Sequence, residues 1–469
     1  MRRGDRSLWA TRRTGVQQNP RLVRIDVRAA SRACSARVKR CCIAVALVAL
    51  APHPAVANGR FPSAQHVVVG PGASATAVAV RTTFGLFVSR DGGASFAWVC
   101  EESLGYGGRW DAPLALGADG SLSLGLPDGA RRGVDDCDFP RSFGGAAVVD
   151  LAASPGGERL YGAAHRDDGA ALLLRSVDGG RGYATLPLGL AGVTLTTLDA
   201  APSRPGRLWV VGVRGAPSRA VLLRSDDDGA RFEAAAGELA GAEAAFLSAV
   251  DARDPDRLWV RVPRGSSTEL LRTDDGGRSW RSALTVRGPM EGFALATDGR
   301  VWAGGSVAGL WRSADGERFE AVDGAPVLCL RHHAGALYVC TDHARDGVAL
   351  ARVRDGATTF EALLRYRDAE GVPDCPGSSP VFAACAPLWR EQRALLLRQV
   401  RDAGVDAPAP ADATDAPSMD GPDASLGSAP MPGDGCGCAA LPAKAGGVWC
   451  LAPLAWRRRR RRRDTTPRR

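Results

Sequence analysis

Lysine is nearly missing from this 469-residue chain: Lys39 and Lys444 are the only two. Aromatic residues make up just 6%. No long stretch between residues 62 and 368 repeats its apolar residues at helical spacing. The middle of the chain also has no basic surplus. Residues 1–57 carry a net +10 and residues 439–469 a net +9, so the net +9 of the whole leaves about −10 for everything between. A nucleic-acid binder carries its basic patch on its folded body. Here the body is acidic and the basic residues are overwhelmingly arginine, as the codon bias of a GC-rich genome produces, so nucleic acid is not an expected partner.

What is abundant is glycine, 57 residues, within a chain that is 45% hydrophobic. That mixture suits many short strands joined by tight turns. The length admits one large domain or two to three smaller ones.

The basic ends read as addresses. Arg37, Lys39 and Arg40 precede a short apolar core, Ile43–Ala51, and Ala55-Val56-Ala57 is a small-x-small cleavage site. This is the layout of a signal peptide with cleavage between Ala57 and Asn58, and residues 1–57 are assigned as leader. A membrane-anchoring helix is the alternative, but the core is too short to span a bilayer. Residues 401–434 are rich in Ala, Pro and Asp and cannot bury a core, so they read as a disordered acidic linker. Residues 435–469 hold Gly-Cys-Gly-Cys, an apolar stretch and seven consecutive arginines at 457–463. Apolar followed by cationic is stop-transfer logic.

Export would place the body in an oxidising compartment, where cysteines pair. The body has six: Cys100, Cys137, Cys329, Cys340, Cys375 and Cys385. Cys329 and Cys340 sit opposite one another in strands flanking a turn, which predicts a disulfide. Cys329-x-x-His332 and Cys340-x-x-His343 also have zinc-like spacing, and that reading is the weaker one. Cys375 with Cys385, and Cys100 with Cys137, are the other expected pairs.

Between residues 62 and 368 one phrase recurs: SRDGGASF (89–96), SVDGGRGY (176–183), SDDDGARF (225–232), TDDGGRSW (273–280) and the shorter SADGERF (313–319). Two altered copies centre on Asp135 and Asp355, the latter followed by Phe360. Successive aspartates are 40 to 49 residues apart, the period of a propeller or solenoid. Each copy follows a β-rich run such as GRLWVVG, DRLWVRV, GRVWAGG, GALYVCT or ERLYGAA. The first unit shows four such runs, and four strands per unit is a propeller blade. The expected fold is all-β: a single seven-bladed β-propeller of four-stranded blades over 58–400, with a short C-terminal helix at 380–400.

The phrase is explained by its own turn. Carboxylate and hydroxyl at Ser89 and Asp91, Ser176 and Asp178, Ser225 and Asp227, Thr273 and Asp275, and Ser313 and Asp315 can accept backbone N–H bonds. Gly93, Gly180, Gly229 and Gly277 supply positive φ. Phe96, Tyr183, Phe232, Trp280 and Phe319 can fold back between blades. A calcium site would need more converging oxygens than SVDGGRGY offers.

The unit resembles the Asp box, or bacterial neuraminidase repeat. The Gly-Cys, apolar and arginine tail resembles the myxobacterial C-terminal sorting signal. That resemblance implies processing at Cys436 or Cys438 by a sorting machinery and attachment to the cell surface through the tail. The body is similar to myxobacterial exported Asp-box propellers and, distantly, to photosystem II assembly-factor and sortilin propellers. Sialidases of this type carry an Arg-Ile-Pro, an arginine triad and a Tyr–Glu pair. The body lacks Arg-Ile-Pro, and Tyr161 and Tyr338 fall where other units have Trp209, Trp259 and Trp302, so they read as core. The expected function is a non-enzymatic, monomeric surface module binding a protein, peptide or glycan, with no cofactor. A secreted glycoside hydrolase using propeller-face carboxylates is the alternative.

Overall fold

The computed structural model describes residues 61–402, apart from residues 109, 187–191, 238, 240, 323–325 and 358. The signal, linker and sorting assignments, with Ala57, Asn58, Cys436 and Cys438, lie outside the described residues.

Alternating apolar patterns broken by glycine turns fold into 28 strands, grouped as seven four-stranded antiparallel sheets, each built from four consecutive strands. Blade 1 comprises β1 (Ala64–Val69), β2 (Val78–Thr82), β3 (Gly85–Ser89) and β4 (Ala97–Val99). Blade 4 comprises β13 (Val193–Ala200), β14 (Leu208–Arg214), β15 (Arg219–Ser225) and β16 (Glu233–Ala234). Blade 7 comprises β25 (Cys329–His333), β26 (Ala336–Cys340), β27 (Leu350–Arg354) and β28 (Glu361–Leu364). The first strand of each blade touches the first strand of both neighbouring blades, and blade 7 meets blade 1, so the sheets form a closed seven-bladed propeller.

The cores lie between blades, where sheet faces stack. Trp209 and Trp259 are fully buried there. At the seam between blades 7 and 1, Tyr366 stacks on Phe87 at 5.3 Å and meets Phe84 edge-on at 5.2 Å.

No blade borrows a strand to close the ring. A strap after blade 7 does that work. The Trp98 N–H donates to the Gly371 carbonyl (2.6 Å) and the Glu370 N–H to that of Phe96 (3.2 Å), so the strap runs beside the outer strand of blade 1. It continues into helix α2 (Pro380–Asp402), which packs on β4 and on α1 (Glu101–Leu104). Two disulfides fix it: Cys100–Cys385 and Cys137–Cys375. This corrects the pairing expected from proximity along the chain. The strap carries Cys375 to the turn of blade 2, and the first turns of α2 return Cys385 to the end of β4. Cys329 and Cys340 do pair, directly across β25 and β26.

Candidate functional site

In the four full phrases the structure shows one hydrogen-bond pattern, which the shorter one keeps with a shift. In the first, the Ser89 hydroxyl donates to Asp91 Oδ1 (2.7 Å) and accepts the Gly93 N–H (2.9 Å). Asp91 Oδ1 also accepts the Ala94 and Ser95 N–H groups at 2.9 and 3.0 Å. Ser176 and Asp178, Ser225 and Asp227, and Thr273 and Asp275 do the same. The shorter Ser313–Asp315 turn receives Gly316 one residue earlier. Burial opposes ionisation of Asp91, but bonds from Ser95, Ser89 and Ala94 hold its carboxyl down at about 2. Bonds led by the Ser279 hydroxyl also lower Asp275.

Each turn is also a clasp on the preceding blade. Arg132, Arg175, Arg272 and Arg352 occupy one register position in the third strands of blades 2, 3, 5 and 7. Each donates to a turn carbonyl of the next blade: Gly179, Asp228, Asp315 and Gly92, at 2.7 to 3.1 Å. Gly316 sits so close to Trp259 that an added Cβ would lie 2.9 Å from the indole, and its φ is +72°. That turn therefore needs glycine for both conformation and approach. Phe96 and Phe232 are buried, while Tyr183, Trp280 and Phe319 are partly buried.

The altered copies differ from each other. In blade 2, Gly133 stands at the serine position beneath Phe139, and Asp136 of the turn is held by Arg90 at 2.6 Å. In blade 7 the clasp is not made. Asp355 is drawn to Arg300 (2.7 Å) and His332 (3.2 Å). Gly356 meets nothing within 4 Å of its added Cβ, and Phe360 is 53% exposed. Trp302 of the preceding blade is only partly buried. Tyr161 and Tyr338 are buried as core. The His332 ring stacks on the Trp302 ring at 5.3 Å and 7°. A cavity of about 670 Å³ opens here, floored by Trp302, Leu337 and Val353 and rimmed by Arg312, Arg318 and Arg354. Of the zinc-spaced residues, the cysteines are joined to each other, while His332 stacks on Trp302 and His343 packs on Tyr366.

A second cavity, about 540 Å³, is the central channel. Register places one residue from each blade in a single ring. Five of them, Val68, Ala115, Ala152, Ala249 and Ala294, are small and apolar, and the two exceptions are Asp199 and Arg331. They lie in blades 4 and 7, on opposite sides of the channel. Asp150 and His66 line the next ring inward. Enclosure by the walls pushes Asp150 up to about 7; the Leu198 and Leu151 N–H groups oppose this and the charge of Asp199 adds to it. The same enclosure pushes Asp199 up to about 6 against the pull of Arg331. Burial, then Arg81 and Arg331, lower His66 to about 3. Asp150 is spoken for at both oxygens, accepting Leu151 N–H (2.9 Å) and Leu198 N–H (2.8 Å). The Asp150 and Asp199 pair was not among the residues expected to be functional. The signal was an Asp inside an otherwise apolar inner strand, VDLAA and TLDA.

No family model and no curated protein matches the chain. Among solved structures, the extracellular domain of a putative one-component system from B. thetaiotaomicron is similar over 65% of this chain and 40% of its own, at 14% identity and TM-score 0.45. The xyloglucanase of glycoside hydrolase family 74 from Xanthomonas campestris is similar over 66% of this chain and 58% of its own, at 20% identity and TM-score 0.28. The chain thus spans less than two thirds of either. The WD40 repeats of RRP9 are similar over 61% of this chain and 89% of theirs, at 15% identity and TM-score 0.44. At these identities the likeness concerns the propeller fold alone.

Proposed function

We propose that this protein is an exported, non-enzymatic binding module that engages a partner at the junction of blades 6 and 7. One observation carries the reading: there the repeated clasp is withdrawn and a Trp-floored, arginine-rimmed cavity of about 670 Å³ takes its place. That volume suits a compact ligand or one anchor of a larger one. Export is supported by the three disulfides, which belong to oxidising compartments. The test is to probe peptide and glycan arrays with the full chain and with Trp302→Ala. Binding should be lost in the variant. A ligand bound equally well by both would refute this location.

A hydrolase in the channel is the second reading, favoured by the raised carboxyls of Asp150 and Asp199, since a general acid needs such a shift. Against it, both oxygens of Asp150 already accept main-chain N–H groups. Turnover of chromogenic glycosides that disappears in Asp150→Asn or Asp199→Asn would favour it over binding.

A further inference from the structure

We infer that the cavity between blades 6 and 7 is a seat for an acidic peptide turn presented by another protein, an assignment that rests on this junction being the binding region. The molecule supplies the template. At the other clasped junctions the same space holds a turn of its own chain, and the contacts it makes define what the seat accepts. A carbonyl of the turn takes the third-strand arginine, as Asp315 takes Arg272 at 2.8 Å and Gly92 takes Arg352 at 3.1 Å. A glycine lies against the indole edge of Trp259.

At the vacated junction the receiving groups remain. Arg312 stands opposite Trp302 in the register of Arg272 opposite Trp259. Arg272 has a side-chain exposure of 5%, whereas that of Arg312 is 64% and its ion pair is a 3.6 Å contact with exposed Glu320. The Trp209 indole donates to the Pro255 carbonyl at 2.8 Å. Among the described residues the Trp302 indole N–H has no such acceptor, because β25 and β26 are joined by a tight turn at Ala334-Gly335 where blade 5 has a longer loop. Arg318 and Arg354 line the same rim with no ion pair among the described residues. Three carboxylates share the lining, but Asp315 is bonded by its own turn and Asp355 by Arg300; the seat therefore offers to acceptor oxygens one indole N–H and the guanidinium groups of Arg318 and Arg354, with Arg312 shared with Glu320, above a floor of Leu337 and Val353. Arginines gain most from carboxylate acceptors, which bind them through paired, charge-assisted bonds. A turn with adjacent carboxylates and a glycine meets all of these demands at once.

The probe is a disulfide-cyclised peptide carrying Thr-Asp-Asp-Gly-Gly-Arg-Ser-Trp, the sequence of residues 273–280, titrated into the full chain by calorimetry. Millimolar or tighter binding is expected. It should weaken about tenfold when both peptide aspartates become asparagine, or in the Arg312→Gln/Arg354→Gln chain. It should vanish in a chain whose residues 353–360 are rebuilt as a full phrase, which fills the seat from within; a melting curve no lower than that of the parent shows that this chain is folded. Absence of peptide binding, or equal binding to the filled chain, overturns the inference. So does binding of trigalacturonate in place of the peptide, which would make the seat a saccharide site. An array ligand lost from the filled chain while the peptide stays silent sinks this assignment and leaves the proposed location standing. An array ligand retained by the filled chain refutes both.

Discussion

Removing the strap's disulfides should show that they close the ring as a pair. Cys100–Cys385 and Cys137–Cys375 enclose 285 and 238 residues. With one intact, cutting the other releases only the short double-linked segment between them, about 47 residues, which chain entropy values at about 4 kcal/mol. Cutting both frees the whole ring, and the same relation gives about 9 kcal/mol, more than twice the single loss. The Cys329–Cys340 crosslink spans 11 residues and should be worth about 3 kcal/mol. The variants are Cys100→Ser/Cys385→Ser, Cys137→Ser/Cys375→Ser and all four together. The assay is urea unfolding of oxidised protein, followed by tryptophan fluorescence, which Trp98 packed on Trp389 at 5.4 Å should report from the strap itself. If the quadruple variant is no less stable than either double variant, the strap does not close the ring and its contacts are incidental.

Two further outcomes follow from the carboxylates and the clasps. The phrase aspartates have folded pKa values below their unfolded ones, so their stabilisation is present above about pH 4 and is lost as pH falls towards 2. Asp150 and Asp199 are shifted the opposite way, so stability should also fall as pH rises from about 4 to about 7. His66 and His343, held down at about 3 and about 4 by burial, act in the opposite direction and lose stability as pH falls below about 6.5, so the two effects offset each other in the parent chain. In Asp150→Asn/Asp199→Asn the carboxylate contribution should disappear, so in thermal melts across pH the stability difference from the parent should change by about 1–2 kcal/mol between pH 4 and 7, both groups being only partly buried in the channel. A stability difference between the parent and this variant that stays constant from pH 4 to 8 would contradict the shifts. Separately, Arg272→Ala should cost about 1–2 kcal/mol, since it removes a buried guanidinium bonded to the Asp315 carbonyl, whereas Arg312→Ala at the same register should cost under about 0.5. Equal losses in chemical denaturation would mean that the two junctions are alike.

The blade count was legible because the phrase is a local device: its hydroxyl, carboxylate and glycine satisfy one another within eight residues, so sequence alone carries it. Cys329 and Cys340 were legible for the same reason, being paired across one hairpin. The strap was not, because nothing within 370–385 says that the chain turns back along blade 1 and not onto itself. The withdrawn clasp of blade 7 was also hidden. Asp355, Gly356 and Phe360 preserve the spacing of the phrase, but no serine or threonine stands two residues before Asp355 to hold the turn; Val353 occupies that place. That single missing hydroxyl, together with the pull of Arg300 and His332, separates a clasp from a cavity. The channel pair needed blade register, which places residues some 130 positions apart, Asp199 and Arg331, in one ring.

The most direct measurement compares the same phrase position in a clasped and an unclasped turn: the melting of Asp275→Ala beside that of Asp355→Ala. Asp275 holds two backbone N–H groups and two hydroxyls of its turn, so its loss should cost about 2 kcal/mol, several degrees of Tm. Asp355 makes exposed pairs with Arg300 and His332, and its loss should cost less than about 1 kcal/mol. Equal melting losses would contradict the claim that blade 7 has given up its clasp.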